Sequence, residues 1–91
     1  MPSDEIVFLG GARTPFGTFL GTLRELTATQ LGALAAREAM KRAGVEPGLI
    51  DHTIVGNVIQ SAADGVYIGR HVALSAGVPI EKPGYCVNRM C

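Results

Sequence analysis

From Thr29 onward the chain repeats apolar side chains at helical spacing, with Leu31, Leu34, Ala35, Ala39, Met40 and Ala43 on one side and Arg37, Glu38, Lys41 and Arg42 on the other. Thr27 or Thr29 can cap the start, basic residues fill the last turn, and Gly44 offers a left-handed stop. The alanines on the apolar side allow a sheet or a second helix to approach closely. Two apolar runs flank this helix. Ile6-Val7-Phe8-Leu9 is continuous and closed by Gly10-Gly11, the pattern of a strand covered on both faces. Thr53 to Ile59 is β-branched and apolar around Gly56 and Asn57, a second buried strand. Strand, helix, strand predicts a βαβ unit with a parallel pair, hence the α/β class.

The connections follow from their residues. Gly10-Gly11 is not a dinucleotide fingerprint, because Arg13-Thr14-Pro15-Phe16-Gly17 follows it as a loop and no helix opens there. The long stretch to Leu26, with Phe16 and Phe19, has the length of a lid or an interface segment. Glu46 to Asp51 reads as a turn with a short helical piece, Pro47 standing at its first position. Gln60 to Gly65 is a loop, and Val66 to Ala76 is a second helix ended by Gly77. Pro79 to Pro83 links it to a final apolar strand leading to Cys91.

With 91 residues and zero net charge, the Lys and Arg side chains are dispersed and form no basic stripe, which argues against nucleic acid and anionic membrane as partners. At 47% hydrophobic residues and a mean hydropathy of +0.27, the chain is apolar for its size and is expected to bury surface against further polypeptide. Cys86 and Cys91 make neither a secreted disulfide framework nor a paired zinc spacing, so no metal is expected and a reducing compartment fits. Asp4 and Glu5 precede the first apolar run, unlike a basic secretory leader, and no segment is long enough to span a membrane. A cytoplasmic location is therefore expected.

Cys91 stands where a strand would hand over to a helix. A thiol there would feel unpaired backbone N–H groups and ionise more readily, as a nucleophile requires, although a free cysteine is by default a small inert core residue. His52 reads as a solvated turn histidine and His71 as a surface or interface one. Asp64 reads as a helix cap or turn residue, and nothing assembles a Ser-His-Asp arrangement. Arg13 suits an anion site or an ion pair equally, and Cys86 is expected to pack inside.

Several segments, in order, resemble the N-terminal part of the thiolases: Ala12-Arg13-Thr14-Pro15-Phe16-Gly17 with Phe19 and Gly21, Leu31-Gly32-Ala33, Arg42-Ala43-Gly44-Val45, Gly56-Asn57-Val58, Ala76-Gly77-Val78-Pro79 and Val87-Asn88-Arg89-Met90-Cys91. The resemblance implies a layered αβα half-domain on a mixed five-stranded sheet, of which residues 1–91 supply the first strands and helices. It implies that Cys91 accepts an acyl group from coenzyme A thioesters in a reversible Claisen condensation or thiolysis, with no bound cofactor. The activating histidine, a second cysteine and most oxyanion donors of the family lie in later sequence. A second chain carrying that remainder, and a homodimer or dimer of dimers, are the expected partners, the 91-residue chain alone being inert. The family usually has threonine at Cys86, and a Gly-Gln-Asn-Pro-Ala-Arg type of loop where this chain has Gly65 to Arg70; of that loop only Arg70 matches. A condensing enzyme of ketoacyl-synthase type is disfavoured by Arg13-Thr14-Pro15. A non-catalytic thiolase-like subunit that binds acyl-CoA or a partner is the alternative.

Overall fold

The computed structural model describes residues 4–90. Helix α1, Ala28–Ala43, begins on a reciprocal cap: the Thr27 hydroxyl accepts from the Gln30 N–H at 3.1 Å, and the Gln30 side chain accepts from the Thr27 N–H at 2.8 Å. Thr27 is therefore the cap, and Thr29 is released for another contact. Gly44 closes the helix at φ 69°, a conformation that costs a residue with Cβ, and its N–H reaches back to the Lys41 carbonyl. The expected short helical piece is a 3-10 turn at Pro47–Leu49.

Strand β1, Thr53–Gly56, leads through a loop and a 3-10 turn at Gly65–Tyr67 into helix α2, Ile68–Ser75, and strand β2, Gly84–Val87. β1 and β2 are parallel, with Thr53 opposite Gly84 and Gly56 opposite Val87. The parallel βαβ unit thus exists, but its crossover runs through α2 and not through α1 as the apolar runs predict. The structure is α/β, with α1 packed against α2 and α2 laid on the sheet. The segment Gly65 to Arg70 is the 3-10 turn and the first turn of α2.

The run Ile6–Leu9 departs from expectation. It forms no strand in the structure, and Ile6 is 97% exposed, with Val7, Phe8 and Leu9 exposed beside it. A parallel strand needs a ladder partner and cover on both faces, and among the described residues this run has neither. Among the described residues the outer edge of β1 stays open, flanked by an apolar cleft of about 570 Å³ lined by Gly10, Ala39, Met40, Thr53, Ile54 and Ala73 among others.

The core is built from small side chains: Ala33, Ile68, Val72, Ala73, Ala76 and Val78 are buried. Such a core works because the backbones approach closely. A Cβ on Gly69 would fall 2.4 Å from the Tyr85 carbonyl oxygen, so only glycine lets α2 settle onto β2. The opposite sheet face is uncovered, with Ile54 beside Tyr85, and Val87 next along, all exposed. No helix among the described residues is long and apolar enough to cross a membrane.

Candidate active site

Cys91 lies outside the described residues, and what the structure defines is its approach. The main-chain ladder ends where the Asn57 N–H donates to the Val87 carbonyl at 3.0 Å. One residue on, the Asn88 side-chain amide donates to the Val58 carbonyl at 3.3 Å. The segment leading into Cys91 is therefore tied to the loop that follows β1.

That loop is closed upon itself. The Asn57 amide donates to the Gly65 carbonyl at 3.2 Å, and the Gly65 N–H donates to the Ala62 carbonyl at 3.0 Å. Asp64 then fastens it to both helices: its Oδ2 accepts from the Thr29 hydroxyl of α1 at 2.7 Å and from His71 Nδ1 of α2 at 2.8 Å. These bonds, His71 first and Thr29 second, hold the Asp64 carboxyl below its ordinary value of 3.8 against a smaller opposing effect of burial. Asp64 makes no side-chain cap on the 3-10 turn that follows it, so the expected capping role is replaced by a tertiary one. No helical spacing in the sequence pairs Asp64 with His71, because α2 begins only at Ile68, after the 3-10 turn. His71 is consequently tied by a hydrogen bond at one edge, while its ring packs near Tyr67.

The other candidates fall elsewhere. His52 is exposed in the turn before β1, as expected. Arg13 stacks its guanidinium 4.9 Å from the Phe16 ring centre and donates to the Thr14 carbonyl, a local arrangement within the loop. Cys86 is half-buried under α2, its sulfur accepting from the Gly69 N–H at 3.2 Å. Arg70 uses both ends of its guanidinium on the Ile80 and Lys82 carbonyls, which fixes the turn feeding β2. No group of three or more metal-ligating side chains occurs among the described residues. Strand β2 thus runs out into an asparagine-tied segment beside a loop that is braced to both helices.

The model of the thiolase N-terminal domain matches residues 6–91. The chain belongs to the thiolase family. Among related thiolases, the human mitochondrial 3-ketoacyl-CoA thiolase is 42% identical over 86 residues, 94% of this chain and 22% of that protein. An acetyl-CoA acetyltransferase of Clostridioides difficile is 42% identical over 87 residues, 96% of this chain and 80% of that protein. The crystal structure of the human enzyme in complex with CoA superposes with a TM-score of 0.85 at 42% identity, covering 88% of this chain and 20% of that one. The acetyl-CoA acetyltransferase of Syntrophomonas wolfei gives 0.79 at 39% identity, again over 20% of its length. This chain thus spans about a fifth of the human enzyme, and its α/β unit is a piece of the thiolase fold.

Proposed function

We propose that this chain carries the nucleophile of a thiolase-type acyltransferase acting on coenzyme A thioesters, with Cys91 as the acyl acceptor. The observation that supports it best is the family match running through Val87-Asn88-Arg89-Met90-Cys91, at the end of a strand whose exit is held by hydrogen bonds. The thiolate attacks the thioester carbonyl, the tetrahedral oxyanion collapses, and the coenzyme A thiolate leaves while the acyl group stays on sulfur. Attacking and leaving groups are both thiolates, so the step runs nearly level in free energy and is reversible. In the second step the carbanion formed at the α-carbon of acetyl-CoA attacks the acyl-sulfur carbonyl and expels Cys91; thiolysis is the reverse. A base for the thiol, an acid–base group for the α-proton and the oxyanion donors come from further thiolase polypeptide. The open edge of β1 and the uncovered Ile54–Tyr85 face support such a complement.

The test is acylation of the complete enzyme with isotopically labelled acetyl-CoA, followed by peptide mapping. The expected result is label on Cys91 that is chased by added coenzyme A and absent from C91S. Coenzyme A binding without any acyl-cysteine would instead establish the non-catalytic binding subunit.

A further inference from the structure

We infer that Asn88 is a positioning residue for Cys91, acting through the braced loop between Asn57 and Gly65. This rests on the reading of Cys91 as the acyl acceptor. The β1–β2 ladder supplies its last main-chain bond at Asn57 and Val87, so the three residues between Val87 and Cys91 have no continuing rung to hold them. The Asn88 amide supplies a side-chain rung in its place, donating to Val58. A carbonyl is a useful anchor only if it stays still. Val58 belongs to a loop closed by the Asn57–Gly65 bond and fixed to α1 and α2 through Asp64, so its carbonyl is referenced to the core and not to a mobile excursion. Within this chain Asn88, Arg89 and Met90 are all exposed, so the Asn88 bond is what ties the segment to the rest of it.

The chemistry makes the demand specific. Thioester attack requires sulfur within near-attack distance of a carbonyl whose oxyanion donors are fixed elsewhere, and a misplacement of about 1 Å costs on the order of a hundredfold in rate. A donor is needed at position 88, since the partner is a carbonyl. N88D keeps the size and removes the donor, setting an acceptor against an acceptor. In the complete enzyme, N88D and N88A should lower kcat for acetyl transfer about tenfold to a hundredfold, leaving KM for acetyl-CoA and the number of Cys91 thiols titrated by iodoacetamide unchanged. An unchanged kcat, or a fall matched by an equal loss of titratable Cys91, would overturn the positioning role. Acyl transfer that survives in C91S would instead overturn the underlying reading of Cys91, which separates the two failures.

Discussion

The Thr29 hydroxyl donates to the Asp64 carboxylate across 2.7 Å, joining helix α1 to a loop 35 residues away in sequence. Thr29 is buried, and T29V conserves its shape while deleting the donor. The expected result is a lower unfolding midpoint for T29V and for D64N, with the double variant less destabilised than the sum of the two. Strict additivity in a thermal or urea double-mutant cycle would show that the contact carries no coupling.

The same carboxylate sets a dependence on pH. Its folded pKa lies below the unfolded value of 3.8, so between the two the unfolded chain binds more protons and stability rises with pH. The contribution is present above the unfolded value and is lost as pH falls through the lowered folded one. Wild-type protein should therefore lose stability on acidification below about pH 4, and D64N should show a shallower slope there. Equal slopes for the two proteins in acid urea titrations would refute the assignment.

Gly69 is the point at which helix and strand touch. An added Cβ would lie 2.4 Å from the Tyr85 carbonyl oxygen and 2.5 Å from its carbon, both backbone atoms that cannot step aside without moving the strand. G69A should cost about 1–3 kcal/mol or more in urea unfolding. G48A is the control, since a Cβ there meets nothing within 4 Å. Because β2 leads to Cys91, G69A should also slow acyl transfer in the complete enzyme, and G48A should not.

Arg70 spans two carbonyls that a lysine ammonium cannot reach together with the same planar fork. R70K should therefore retain only part of the stability lost in R70A, a loss of about 1–3 kcal/mol. Identical midpoints for R70K and wild type would reduce the residue's role to its charge.

These cases show what the amino-acid order makes legible. α1 is readable because its determinants are local: alanine and leucine at helical spacing, a cap at Thr27 and a left-handed Gly44. The same holds for Pro47 opening its 3-10 turn and for α2, whose expected span from Val66 differs from Ile68–Ser75 by the 3-10 turn at its start. Asp64 reads as a cap or turn residue and does stand in the turn before Gly65, but its side-chain partners on α1 and α2 meet it only through tertiary packing and leave no local signal. The segment leading to the proposed nucleophile is legible as a family motif, but the bond that ties it down is not. The Asn88–Val58 bond spans 30 residues and has no local signature.

The run Ile6–Leu9 carries the remaining discrepancy, and its cause is separable by experiment. Its apolar continuity demands cover on two faces, while the described residues leave it exposed. Meanwhile β1 has one unpaired edge, and Gly10, the residue just after the run, already lines the cleft beside that edge. A strand propensity without a partner and a partner edge without a strand are complementary deficits, and pairing satisfies both once further polypeptide covers the outer face. In hydrogen exchange, the amides of Val7 to Leu9 should be slow in the complete enzyme and fast in the 91-residue piece alone. V7P, which removes a ladder donor, should weaken assembly with the rest of the enzyme while leaving the α1 amides of the isolated piece unchanged. Fast exchange of the run in the assembled enzyme would show that it remains outside the sheet.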